Sequence, residues 1–103
     1  MFLFKKVPSI TAQELQEKMK KPIELIDVRS PEEFAQGHIP KAKNVPLDKI
    51  QSYKPKGKEV YVVCASGPRS KRATQYLVDK KYDAYNIEGG MMMWNGTLKV
   101  GYK

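Results

Sequence analysis

The stretch Val60-Tyr61-Val62-Val63-Cys64-Ala65-Ser66-Gly67-Pro68-Arg69-Ser70 decides the fold. Its first four residues are a continuous apolar, mostly β-branched run, the pattern of a strand covered on both faces in a parallel sheet. Beyond the loop, Ala73, Tyr76 and Leu77 recur at helical spacing while Lys71, Arg72, Gln75 and Asp79 take the other side, which predicts a helix over 69–80. A buried strand that runs through a short turn-forming loop into a helix is the repeating unit of an α/β domain.

The flanking sequence repeats that alternation. Thr11 and Glu14 form a capping box that starts a helix ending before Pro22. Residues 23–28 read as a strand, and Ser30 as cap, Pro31 at the first helical position and Glu32 and Glu33 in the first turn mark a second helix, kept short by Gly37. Residues 44–47 give a brief extended segment, residues 84–87 a last strand, Gly89 and Gly90 a tight turn, and residues 91–94 a final apolar helix. There is no internal repeat, low-complexity tract or linker, so the 103 residues are assigned to one domain, 1–103.

Composition narrows the class. Hydrophobic residues at 41% and charged residues at 29% are ordinary for a soluble globular chain. The apolar start, residues 1–4, is followed at once by Lys5 and Lys6, too short for a signal core or a membrane span, so a cytoplasmic protein without membrane association is expected. One cysteine and one histidine exclude an internal disulfide and leave no zinc site within the chain; no metal and no cofactor are expected. The net charge of +8 is thickest at Lys41, Lys43, Lys49, Lys54, Lys56 and Lys58. This is read as a solvated face that also concentrates small anions, without the aromatic-interleaved pattern of a nucleic-acid binder.

Chemistry concentrates at Cys64. Ligands of open parallel sheets bind beyond the carboxyl ends of strands, where this residue is placed. Ala65, Ser66, Gly67, Arg69 and Ser70 can curl so that backbone N–H groups face inward at the positive end of the following helix, while Pro68 contributes no donor. If amides, helix dipole and Arg69 together lowered the thiol pKa by about two units, thiolate would predominate at neutral pH without a histidine base. An inert cysteine closing a strand is the competing reading. Arg69 either contacts a bound anion or pairs with Asp27 or Glu88, and Ser70 either caps the helix or donates its hydroxyl to substrate. Asp27 and Arg29 are expected to brace the strand end, His38 to make a structural hydrogen bond in the Gly37-His38-Ile39-Pro40 turn, and Met91, Met92 and Met93 to pack in the core beside Trp94. Gly89 and Gly90 allow close backbone approach or a plain turn, and no catalytic role is assigned to them.

Three ordered groups of residues resemble the rhodanese homology family of single-domain sulfurtransferases over nearly the whole chain. They are Asp27-Val28-Arg29 with Glu33, Gly37-His38-Ile39-Pro40, Ala42 and Asn44-Val45-Pro46; then Cys64 to Ser70 with Ala73 and Leu77; then Glu88-Gly89-Gly90 with Trp94. The resemblance implies a three-layer α/β/α domain with a five-stranded parallel sheet. It also implies that Cys64 accepts sulfane sulfur, that the amides of residues 65–70 hold the terminal sulfur, and that no cofactor takes part. The implied partners are a small anionic sulfur donor such as thiosulfate, a thiol or cyanide acceptor, and, for a carrier or regulatory module, a protein persulfide donor. Lys41 and Lys81 stand where the family often has glycine, and neutral Ala65 and Ser66 stand where many relatives carry a basic side chain, which implies weak handling of thiosulfate. Relatives acting on phosphate or arsenate have a loop one residue longer, so the four residues between Cys64 and Arg69 resemble the sulfur-transfer class.

Overall fold

Along the central strand the side chains alternate between two buried faces. The computed structural model describes residues 7–102; the apolar start at residues 1–4 lies outside them. Five strands form one parallel sheet: β1 (Ser9–Ile10), β2 (Leu25–Asp27), β3 (Lys43–Asn44), β4 (Glu59–Val63) and β5 (Asp83–Ile87), in the spatial order β1-β5-β4-β2-β3. The apolar run centred on Val62 is therefore the middle strand, flanked by β2 and β5.

Period-two alternation sends Val60, Val62 and Cys64 into one cluster with Ala73, Leu77 and Ala84, and Tyr61 and Val63 into another with Leu15, Ile39 and Ile87. Helix α3 (Pro68–Asp79) and the 3-10 segment Leu47–Ser52 cover the first face, and α1 (Ala12–Lys18) covers the second. Each fully buried valine of β4 contributes about 1.5–3 kcal/mol of apolar burial, which fixes the register, since a one-residue slip would exchange the two faces. The three-layer α/β/α architecture follows.

The expected caps are present. Thr11 and Glu14 form a capping box on α1, and Ser30 with Glu33 forms a second on α2 (Pro31–Gln36). Some expectations are corrected. Strand β1 carries no sequence signal: two residues at a sheet edge after Pro8 show no alternation to read. The extended segment expected at 44–47 begins and ends earlier, because Leu47 already opens the 3-10 segment. The final apolar helix is a 3-10 turn, Gly90–Met93, in which positions three apart share a face, so Met91 and Trp94 pack against the core. Met92 and Met93 point out and are 77% and 64% exposed, contrary to the expected core role. Among the described residues no helix is long and apolar enough to cross a membrane.

Candidate active site

Because Val63 ends β4 and residue 64 keeps the strand's alternation, the Cys64 side chain turns toward the α3 face and is completely buried. The thiol expected at the mouth of the loop lies inside it. Gly67 N–H donates to Sγ at 3.0 Å, and the thiol donates to Ser70 Oγ at 3.2 Å.

The loop is tied down from behind. The Cys64 carbonyl accepts from Met91 N–H at 2.8 Å and the Ala65 carbonyl from Met92 N–H at 3.1 Å. In a trans peptide the carbonyl and the next N–H point oppositely, so the amides of Ala65 and Ser66 are turned away from the Gly90–Met92 backbone. Such an approach requires glycine at position 90: a Cβ there would lie 2.3 Å from the Cys64 carbonyl oxygen. The choice between close approach and plain turn is thereby resolved for Gly90. Gly67 is required by conformation, with φ of 134°, and its carbonyl accepts from Lys71 N–H at 2.9 Å as the helix begins. Pro68 follows at the first helical position, and the amides of Arg69 and Ser70 open the helix, where no intrahelical acceptor exists for them.

Ser70 does not cap α3; Gly67 holds the cap position. The Ser70 hydroxyl has two acceptors in reach, the Gly67 carbonyl at 2.9 Å and Asn86 Oδ1 at 2.5 Å, besides its contact with sulfur. Arg69 pairs with neither Asp27 nor Glu88. It forms a bidentate ion pair with Glu33, Nη1–Oε1 2.6 Å and Nη2–Oε2 3.0 Å, across the loop from α2. That hydrogen-bonded guanidinium, with the Ser30 cap, lowers the Glu33 carboxyl to about 2 and raises Arg69 in turn. Glu33 was legible as a first-turn acid, but nothing in the spacing of 36 residues names its partner.

Asp27 and Arg29 form a buried pair. Arg29 Nη2 lies 2.7 Å from Asp27 Oδ2, its backbone N–H donates to Asp27 Oδ1 at 3.0 Å, and Nη2 also donates to the Gly37 carbonyl at 2.8 Å. The carboxylate is wholly buried and fully hydrogen-bonded, so this pair fixes the β2 end beside Val63. His38 donates Nδ1–H to the Phe34 carbonyl at 2.8 Å and stacks on the Phe34 ring at 3.7 Å, a structural role. The buried Asn86, in register with Val62, reaches Ser70 and had no sequence signal beyond a polar residue in a strand. No group of three or more potential ligands that could hold a metal ion occurs among the described residues.

The arrangement can hold an anionic sulfur: one backbone N–H and one hydroxyl converge on Sγ at the start of a 12-residue helix. Comparison with known proteins identifies a family. A family model described as the rhodanese-like domain matches residues 11–97. The chain is 37% identical over 99 residues to YtwF of Bacillus subtilis, provisionally named a sulfurtransferase, covering 90% of this chain and 95% of that protein. It is 40% identical over 74 residues to a sulfurtransferase of Allochromatium vinosum, covering 68% and 69%. A crystal structure of a rhodanese-like domain protein from Staphylococcus aureus superposes with a TM-score of 0.81 at 42% identity, covering 90% of this chain and 97% of that one. A rhodanese-related protein from Thermoplasma volcanium gives 0.83 at 28% identity, covering 90% and 98%.

Proposed function

The chain belongs to the rhodanese-like domain family, and from that premise we propose that it moves sulfane sulfur through a persulfide on Cys64. The observation that carries the proposal is the sulfur enclosed by Gly67 N–H and Ser70. In the first half-reaction the Cys64 thiolate attacks the outer sulfur of thiosulfate; the S–S bond of the donor breaks, its electron pair leaves with sulfite, and Cys64–S–S⁻ forms. A persulfide donor reacts the same way, releasing its thiolate. In the second half-reaction an acceptor thiolate or cyanide attacks the terminal sulfur, and Cys64 departs as thiolate. Electrons balance without a redox cofactor, and a single cysteine suits a reducing, cytoplasmic setting. Ala65, Ser66, Gly67 and Ser70 are assigned to cradle the terminal sulfur.

A second reading draws on Arg69. Its guanidinium is taken up by Glu33, and Ala65 and Ser66 are neutral, so no other cation of the loop meets a small dianion. That favours persulfide, delivered by a small molecule or by a partner protein, over thiosulfate. The test is a donor panel followed by intact mass. We expect wild type to gain the mass of one sulfur, more readily from persulfides than from thiosulfate, and Cys64→Ser to gain none. A wild-type chain left unmodified by every donor overturns the proposal. A much faster reaction with a partner's persulfide than with any small donor establishes the carrier reading.

A further inference from the structure

A buried line of hydrogen bonds leads away from Cys64. The thiol donates to Ser70 Oγ at 3.2 Å, the Ser70 hydroxyl reaches Asn86 Oδ1, Asn86 Nδ2 donates to Ser9 Oγ at 3.2 Å, and Ser9 Oγ donates to the Val7 carbonyl at 3.0 Å. Cys64, Ser70 and Asn86 are each 0% exposed. Asn86 occupies a core slot: it shares a strand face with Ala84, which packs against Ala73 and Leu77 of α3. An apolar side chain would suit that slot better, and a buried amide is tolerated there only because its groups are satisfied.

Ser9 fixes which way the amide faces. Since Ser9 Oγ gives its proton to Val7, it can only accept from Asn86, so Nδ2 faces β1 and Oδ1 faces Ser70. The Ser70 hydroxyl has one proton and three acceptors around it: Asn86 Oδ1, the Gly67 carbonyl and the sulfur. With Cys64 as thiol, the S–H points at Ser70 and the Ser70 proton goes to Asn86 or Gly67. With Cys64 as thiolate, the best use of that proton is the sulfur, and Asn86 Oδ1 competes for it.

We propose that Asn86 is a positioning residue which, by holding the Ser70 proton, sets how readily Cys64 becomes the attacking thiolate. This rests on the sulfur-transfer reading only for its consequence, the rate of the first half-reaction; the proton arrangement stands without it. Charged groups near the line are Arg69 and Lys71 on α3, Glu88 after β5, Asp27 at the end of β2 with Arg29 beyond it, and Glu33 on α2. None of them hydrogen bonds Ser70 or Asn86 among the described residues, so none substitutes for the amide.

The test follows alkylation of Cys64 by iodoacetamide, read by intact mass across pH, in wild type, Asn86→Leu and Asn86→Asp, each also in a Ser70→Ala background. Asn86→Leu removes the side-chain competitor for the Ser70 proton and leaves only the Gly67 carbonyl against the sulfur, so the midpoint moves down and the rate below it rises about threefold to tenfold. Asn86→Asp is a stronger, charged acceptor, so its midpoint moves up by a similar factor. A role in packing alone gives no such opposition of sign. In the Ser70→Ala background the Leu effect disappears, and the Asp effect shrinks to direct charge repulsion. An Asn86→Leu midpoint at or above wild type, or an effect undiminished without Ser70, overturns the proposal. If Asn86→Leu does not fold, Asn86→Asp decides, and an equal shift with and without Ser70 overturns it. Sulfur transfer fails independently: opposed alkylation shifts in a chain that accepts sulfur from no donor remove the sulfur-transfer reading and leave the Asn86 assignment intact.

Discussion

Among the described residues with positive backbone φ, two groups differ in the residues that adopt it. Around the sulfur, Gly67 (φ 134°) and Gly90 (φ 55°) occupy it; at two surface turns, Lys41 (φ 72°) and Lys81 (φ 76°) do. The turns are regular. Ala42 N–H to the Ile39 carbonyl at 3.0 Å closes a type II turn with Pro40 and Lys41 at its centre. Tyr82 N–H to the Leu77 carbonyl and Lys81 N–H to the Val78 carbonyl form a Schellman motif after α3. A left-handed residue with open solvent around it costs a side chain about 1–2 kcal/mol, which a domain can tolerate. At Gly90 the obstacle is backbone within 3 Å, and at Gly67 a conformation that side chains rarely adopt, with no atom within 4 Å of the Cβ position. The two lysines stand where the resemblance leads one to expect glycine, and both turns form with lysine in place.

Gly90→Ala is the hardest test of that contrast. The new Cβ meets the Cys64 oxygen at 2.3 Å and Ala65 carbon and oxygen at 2.8 Å, all backbone, so the loop must shift. We expect a loss of about 2–5 kcal/mol in chemical unfolding, together with loss of Cys64 persulfidation in whatever remains folded. Wild-type stability and sulfur loading in this variant would show that the approach of the two segments is dispensable.

The lysine turns should respond in the opposite direction. Lys81→Gly and Lys41→Gly each relieve left-handed strain against the larger unfolded-state entropy of glycine, a net gain of about 0.5–1 kcal/mol apiece. The two lie in separate turns and should add. Thermal unfolding of the double variant should rise by about 4–8 °C per kcal/mol gained, with Cys64 alkylation rates unchanged. A lower midpoint for either single variant would mean that lysine is not strained there.

Sequence periodicity carried the architecture because it is set by burial. Val60 to Val63 read as a doubly covered strand, and Thr11 and Ser30 announce helix starts through local hydrogen bonds, Pro31 through its fixed φ. The parts that escaped depend on distant partners. Arg69 has several acids in reach of its chain length, and only the fold selects Glu33. Asn86 reads as an unfavourable strand residue until Ser70 and Ser9 are placed beside it. The burial of Cys64 follows from strand parity once β4 is fixed, yet loop composition alone suggested exposure.

The Arg69–Glu33 pair extends the comparison to a loop contact enforced by side chains alone, where the smallest effect is expected. Both side chains are over a third exposed, so solvent screens the pair and its contribution is about 1 kcal/mol or less. Glu33→Gln retains the capping geometry at Ser30, since glutamine serves the same box, and removes only the charge. The sign follows from a carboxyl lowered from 4.5 to about 2: the pair's contribution is complete above pH 4.5 and disappears as pH falls through about 2. Wild type should therefore exceed Glu33→Gln slightly in stability at neutral pH, and the difference should close across that acid window. Releasing Arg69 in the same variant gives the loop a free guanidinium, so KM for thiosulfate should fall several-fold while that for a neutral persulfide stays put. If neither KM moves, Arg69 is a bridge between α2 and α3 and takes no part in holding the donor.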